Sequence, residues 1–163
     1  MRLYQSSKTV YSSKTLTIMN AYSIVQHLHS GFRYIVLILF IYAIIAAFIG
    51  WLGNRPYTNG NRLTNLFAMI SVHTQLLIGI VLYFLSPLVA FNSTTMKDPV
   101  TRYFTVEHWV MMLIAIALIT VGHSKSKKLT TPQAKHKIIA LFYTLALLII
   151  IGALAAGKIS ILE

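Results

Sequence analysis

The stretch VEHWVMMLIAIALITVGHSKSKK, residues 106–128, is suited to the hydrocarbon of a membrane but has a histidine near each end. Across residues 110–121 its only polar side chain is Thr120. A helix of about 20 predominantly apolar residues is long enough to cross a bilayer. Ionisable side chains in such a helix are costly and mark candidate functional positions. The stretch therefore predicts a membrane-spanning helix with His108 and His123 as candidate site residues.

The composition of the whole chain indicates an integral membrane protein. Of its 163 residues, 56% are hydrophobic and only 10% are charged, outside the range of soluble domains. The absence of cysteine excludes disulfides, thiolate metal sites and covalent c-type haem attachment. The net charge of +11 comes from basic residues that lie mostly between apolar segments. This charge therefore indicates membrane topology and contact with anionic lipid, and not nucleic-acid binding.

Four apolar segments are long enough to cross a membrane, at residues 22–52, 63–90, 103–123 and 138–157. Short loops make sequential neighbours antiparallel, so the predicted fold is all-α, an integral membrane up-down four-helix bundle. Residues 1–18 are polar and basic and lack the apolar core of a signal peptide. They are predicted to be a disordered basic arm, or sequence upstream of the true start, before a four-span domain at 19–163.

The loops predict the orientation of the bundle. Loops one and three, residues 53–62 and 124–137, share one end of the bundle, termed the basic end, and together carry seven Lys or Arg residues and no acid. The loop at residues 92–102 lies at the other end, termed the middle-loop end, where Asp98 offsets part of the positive charge. Cytoplasmic loops are enriched in Lys and Arg. The sequence therefore predicts a multi-pass protein of the bacterial inner membrane with both termini outside.

The spacing of His108 and His123 predicts sites at two depths. Fifteen residues at 100° each give a net rotation of about 60°, so both rings lie on roughly one stripe, about 22 Å apart along the helix. This arrangement resembles that of di-haem membrane cytochromes b, in which one helix supplies a ligand at an outer and at an inner haem. Ala115 and Gly122 lie on the same stripe. Such small residues either leave room for a flat macrocycle or allow close helix packing.

A haem with two histidine ligands needs a second imidazole at matching depth on a facing helix. Antiparallel threading places His29 near the depth of His108, and His73 near that of His123. His29 and His108 form the outer pair, and His73 and His123 form the inner pair. These four histidines are the predicted haem and metal ligands. An interhelical hydrogen bond is the alternative role for His73. His136, in loop three, is predicted to be a solvated loop residue.

Two arginines are candidate partners for anionic groups of a cofactor. Arg33 lies one turn inward of His29 on the same helix face. Arg33 and Arg102 are both predicted to pair with haem propionates at the membrane edge. As an alternative, Arg33, Glu107 and His29 form a structural ion-pair cluster. Tyr34 and Glu107 are candidates to line a path for quinol or protons.

Three motifs and the short basic loops, spanning residues 19–157, resemble those of small four-span bacterial membrane proteins labelled cytochrome B-like. The motifs are HLHSGFRY at 27–34, SVHTQLLIGIVLYF at 71–84 and FTVEHWVMMLIAIALITVGHSKSKK at 104–128. The part HTQLLIG also resembles a helix of the haem A synthases, and the chain corresponds to half of that eight-span fold. The resemblance implies one or two non-covalent b haems on His29, His73, His108 and His123.

The histidines and the resemblance together predict a haem-b-binding membrane protein that transfers electrons to or from quinol or a respiratory partner. Two alternatives stay open. One is a non-catalytic subunit of a larger membrane complex or homo-oligomer, in which the histidines join helices. The other is a metal-handling protein with zinc or copper bound by His and Met side chains. No hydrolase or nucleotide-binding motif is present.

Overall fold

The computed structural model of the chain describes the backbone of residues 2–157 and the side chains of residues 16–157. Its long helices are α1 (Arg2–Leu52), α2 (Asn59–Leu85), α3 (Pro99–Lys128) and α4 (Pro132–Ala156). All four are long and apolar enough to span a membrane, and the described residues contain no strand. The predicted all-α four-helix fold of a multi-pass membrane protein is confirmed.

The boundaries of α2 and α3 differ from the predicted spans for local reasons. Helix α2 ends at Leu85, five residues before the predicted end, because Pro87 disfavours helical backbone at Ser86 (ψ 127°). Helix α3 continues past the predicted end at residue 123 to Lys128. The basic side chains of its last turn favour this extension because they face the negative end of the helix dipole.

Helix α4 begins earlier than predicted. Thr131 caps it by accepting a hydrogen bond from the Ala134 N–H at 3.4 Å, and Pro132 occupies the first helical turn. Loop three is thereby reduced to residues 129–131. His136 consequently lies in the second turn of α4, and its side chain is only 1% exposed.

The prediction that His136 is a solvated loop residue is therefore wrong. Its ring packs directly on Gly50 of α1, where an added Cβ atom would lie 2.3 Å from Cε1. The ring centroid of Tyr57 lies 4.9 Å from that of His136. His136 thus joins loop one to α4 at the basic end of the bundle.

The N-terminal arm is continuous with α1. The backbone of residues 2–18 is helical and enters the first span without a break, where the sequence predicts a disordered arm. The side chains of residues 1–15 and all of residues 158–163 lie outside the described part of the chain. The alternative that the arm is upstream sequence stays a prediction.

The four helices form a closed ring. Helix α1 packs against α2 and α4, and α3 packs against α4 and, over a smaller area, α2. Helices α1 and α3 therefore occupy opposite corners. In the core, the Phe40 ring of α1 stacks on the Tyr143 ring of α4 with centroids 4.8 Å apart. Large apolar side chains such as Phe84 (82% exposed) point outward, where lipid is the expected solvent.

Candidate functional site: a cavity between two histidines

A cavity of about 310 Å³ lies inside the bundle at the middle-loop end. His29 from α1 and His108 from α3 both line it, so the two imidazoles come from helices at opposite corners. The volume lies at the lower end of the range for small-molecule and cofactor sites. The wall is mainly apolar and includes Val36, Phe40, Val72, Leu76, Ala115 and Ile116. The structure thus brings together the two histidines that the sequence predicts at the outer level.

Helix α2 fixes the position of His29. The side chain of Gln75 donates a hydrogen bond from Nε2 to the backbone carbonyl of His29 at 2.8 Å. Gly79 makes room for the ring, since a Cβ atom on Gly79 would lie 3.1 Å from Cε1 of His29. Nδ1 of His29 is buried without a hydrogen-bond partner among the described residues. A buried polar atom left unpaired costs about 1–3 kcal/mol, so a ligand in the cavity has a group to satisfy here.

At His108, α3 returns to regular α-helix immediately after a π-helical turn at Tyr103–Glu107. Nδ1 of His108 lies 3.1 Å from the Tyr103 hydroxyl. Tyr83 of α2 fastens the same turn by donating its hydroxyl hydrogen to the Thr105 carbonyl at 2.9 Å. Because π turns occur frequently at functional sites, this irregularity supports the choice of the His108 region as a site.

Arg33 supplies a cation to the cavity. It lines the cavity, and its Nε atom is buried without a hydrogen-bond partner in the described part of the chain. Its guanidinium carbon lies 5.4 Å from the ring centroid of Tyr34. No carboxylate of the described residues lines the cavity. A ligand with an anionic group would therefore find an uncompensated positive charge beside the two histidines.

Arg102 and Glu107 pair with each other and lie outside the cavity. Arg102 Nε lies 2.6 Å from Glu107 Oε1, and Nη1 donates to the Met96 carbonyl at 3.2 Å. Glu107 is thus engaged by Arg102, and the alternative cluster of Arg33, Glu107 and His29 does not form. The structure places only Arg33, of the two predicted arginines, at the cavity.

The two inner histidines lie outside this cavity. His73 directs Nδ1 to the Met69 carbonyl at 2.8 Å and Nε2 to the Thr120 hydroxyl at 3.3 Å. This interhelical contact is the alternative role that the sequence leaves open for His73. His123 is 5% exposed, and its Nδ1 has no partner among the described residues. His73 therefore meets α3 at Thr120, three residues before His123.

The two small residues on the α3 stripe have different surroundings. Ala115 lines the cavity. Gly122 instead packs on Phe142 of α4, where an added Cβ atom would lie 2.5 Å from the Phe142 Cβ. The close-packing alternative is therefore correct for Gly122, whereas Ala115 borders space for a ligand.

Other residues that the sequence singles out lie away from the cavity. Tyr34 lines a separate apolar groove between α1 and α4, with Ile38 and Leu147 among its neighbours. Because Glu107 is also outside the cavity, the predicted path lined by Tyr34 and Glu107 does not form there. His27 is exposed and does not line the cavity. Sequence reasoning missed the roles of Gly79 and Tyr103, since a glycine and a tyrosine in a span are ordinarily packing residues.

The donor set of the cavity is two imidazoles, with Met112 also in the lining. Within the described residues, no three His, Cys, Asp or Glu side chains come together to hold a metal ion. Fold and cavity together define a four-span membrane protein with an internal two-histidine site. No family model matches the chain, and comparisons with curated proteins and with solved structures give no match. The resemblance to cytochrome B-like proteins stays a prediction from the motifs.

Proposed function

We propose that the protein binds b-type haem between His29 and His108 and transfers electrons in the bacterial inner membrane. The observation that carries this proposal is the shared cavity of two imidazoles from opposite corners of the bundle. Two imidazoles on different helices that line one bundle interior are a donor set that would hold haem iron. The unpaired Nδ1 of His29 is the kind of buried polar atom that a ligand would satisfy.

The remaining residues that line the cavity also fit haem. The apolar wall suits a porphyrin, and the small residues Gly79 and Ala115 limit crowding near it. Arg33 would neutralise a propionate, since its guanidinium has no carboxylate partner in the described structure. When bound, the iron supplies one-electron chemistry, while the protein holds the ligands and excludes water. Quinol or a respiratory partner subunit is the proposed source or acceptor of the electron.

A second haem at the inner level is the less supported part of the sequence prediction. His73 is engaged by the Met69 carbonyl and Thr120, and Phe142 fills the space beside Gly122. We therefore propose one haem per chain, held at the middle-loop end. A second haem on His73 and His123 would require these neighbours to move.

The proposed topology places the basic end in the cytoplasm and both termini outside. The seven basic residues at the basic end, without an acid among residues 53–62 and 124–137, support this orientation. Reporter fusions at Thr130 and at the C-terminus should give opposite location signals. Matching signals would show that α4 does not cross the membrane and that the four-span count is wrong. A periplasmic signal from Thr130 together with a cytoplasmic signal from the C-terminus would show that the orientation is the reverse of the proposed one.

Haem content is the direct test of function. The protein purified in detergent from a haem-replete host should give a b-type reduced-minus-oxidised spectrum and one haem per chain by pyridine haemochrome assay. A haem-free preparation would overturn the proposal. Metal analysis of the same sample tests the metal-handling alternative, because stoichiometric zinc or copper without haem would favour it. Colourless protein that copurifies with fixed partners would favour the structural-subunit alternative.

A further inference from the structure

A buried hydrogen-bonded chain leads away from His108 to the neighbouring helix α4. Nδ1 of His108 lies 3.1 Å from the Tyr103 hydroxyl oxygen, and that oxygen lies 2.7 Å from the Ala153 carbonyl oxygen of α4. Tyr103 is 4% exposed, and it packs so closely on Gly157 that an added Cβ atom there would lie 2.5 Å from the tyrosine ring. The phenol is therefore held in one position.

The chemistry of this chain fixes where its hydrogen atoms lie. The Ala153 carbonyl can only accept a hydrogen bond, so the single hydroxyl hydrogen of Tyr103 points to it. The tyrosine oxygen must then accept from His108, which places a hydrogen on Nδ1. A neutral imidazole has only one such hydrogen, so Nε2 of His108 keeps a free lone pair.

We propose that Tyr103 is a positioning residue that holds His108 in the tautomer and orientation of a metal ligand. This inference rests on the proposed function, because the ligated metal is the haem iron. Tyr103 does not line the cavity and acts only through His108. An acceptor at Nδ1 makes the imidazole more basic, and a more basic axial ligand favours ferric over ferrous iron.

The π-helical turn is what brings Tyr103 and His108 together. The backbone N–H of His108 donates to the carbonyl of Tyr103, five residues earlier, while the two side chains form a second contact. In a regular α-helix, five residues correspond to about 500°, so the side chains would diverge by about 140°. A π turn contains more residues per turn and aligns them on one side. The side-chain contact between Tyr103 and His108 offsets the loss of regular α-helix at this turn.

The test compares Tyr103→Phe with Tyr143→Phe in the full-length protein in detergent. Tyr143 is a matched control because it is also fully buried and its hydroxyl donates to a backbone carbonyl of another helix, Asn65 O, at 3.0 Å. Tyr143 does not line the cavity. Both variants lose a similar hydrogen bond, but only Tyr103→Phe removes the acceptor from His108.

Loss of a hydrogen-bond partner of a metal ligand lowers metal affinity by about 10–100-fold. Tyr103→Phe should therefore weaken haem binding by this factor and raise the haem midpoint potential, whereas Tyr143→Phe should leave both at the wild-type values. If the ferric affinity falls tenfold more than the ferrous affinity, the potential rises by about 59 mV. Wild-type affinity and potential in Tyr103→Phe would overturn the inference and leave the haem proposal intact.

A second measurement is independent of haem. In protein labelled with nitrogen-15 histidine, the chemical shifts of the His108 ring nitrogens, assigned by their absence in His108→Ala, report its tautomer. The haem-free wild-type protein should show the hydrogen on Nδ1. A hydrogen on Nε2 would overturn the inference even if Tyr103→Phe fails to fold. If the proposed function is wrong, the result is different: the wild-type protein contains no haem.

Discussion

The two levels of the bundle contain the same chemical groups but different amounts of space. At the middle-loop level, His29 and His108 line a common cavity. At the inner level, His73 contacts Thr120, and both His73 and His123 lie outside that cavity. Each level has one histidine whose Nδ1 is hydrogen-bonded and one whose Nδ1 is unpaired among the described residues. The difference between a site and a helix contact therefore lies in the neighbouring residues.

Those neighbours are small at one level and large at the other. At the middle-loop level, Gly79 borders the His29 ring and Ala115 lines the cavity, and neither fills the interior. At the basic end, Phe142 occupies the surface of Gly122. A glycine in a membrane helix thus makes room either for a ligand or for a side chain of the next helix. The depth of a histidine in the bundle therefore does not by itself identify a ligand site.

Removing the histidines gives the largest expected effect. His29→Ala or His108→Ala should abolish the b-type spectrum, because each would remove a proposed ligand of the haem iron. His123→Ala should keep it, and His27→Ala is the matched control for His29, since His27 is exposed and two residues away. The measurement is the reduced-minus-oxidised spectrum of each purified variant. If only His73→Ala and His123→Ala abolish the spectrum, haem binds at the inner pair of histidines and not at the outer pair.

The two arginines should differ by one to two orders of magnitude in their effect. A hydrogen bond to a charged group contributes about 1.5–3 kcal/mol, which corresponds to roughly 10–100-fold in affinity. Arg33→Gln should weaken haem binding by this factor because Arg33 faces the cavity. Arg102→Gln should leave the affinity unchanged because Arg102 is paired with Glu107. Haem titration of the apoprotein measures both, and equal losses would show that Arg102 also reaches the ligand.

Replacing a glycine with alanine should have a different effect at each level: lower stability at one and weaker haem binding at the other. Gly122→Ala forces a Cβ atom against the Cβ of Phe142, and overpacking of this kind costs about 1–3 kcal/mol. It should lower the melting temperature and leave the spectrum unchanged. Gly79→Ala presses on the His29 ring at 3.1 Å and should instead weaken haem binding. An altered haem spectrum in Gly122→Ala would indicate a ligand at the basic end.

The smallest expected effect is a pH dependence confined to the middle-loop end. Hydrogen bonds from the Thr101 hydroxyl and backbone N–H hold the pKa of Asp98 below its usual value. Its charged form caps α3, so the stabilisation is present above the usual carboxyl pKa and is lost as pH falls through the lowered pKa. The melting-temperature deficit of Asp98→Ala should therefore shrink in acid.

Thr131, which caps α4 at the basic end, is the matched control for this pH dependence. Its hydroxyl does not titrate, so the deficit of Thr131→Ala should be the same at neutral and acidic pH. A deficit of Asp98→Ala that stays constant across the same pH range would show that the carboxylate charge does not contribute.

The sequence alone determined the architecture and the depth of the histidines. Runs of apolar residues longer than about 20 residues require spans, and short loops require antiparallel neighbours. The spacing of His108 and His123 likewise sets two depths on one face, because helix geometry is local. From antiparallel threading, the sequence also placed His29 near the depth of His108. The structure shows these two residues lining one cavity.

Only the tertiary structure decided which histidine level has space and which residues support it. The pairing of Glu107 with Arg102 and not Arg33 depends on a π turn that the 3.6-residue period does not reveal. The contact of Tyr103 with Ala153 joins residues fifty positions apart. The lysines on either side of His136 predict a solvated residue, but α4 begins early enough to bury it. Volume and hydrogen-bond partners arise from packing between distant segments, and no local pattern in the sequence contains that information.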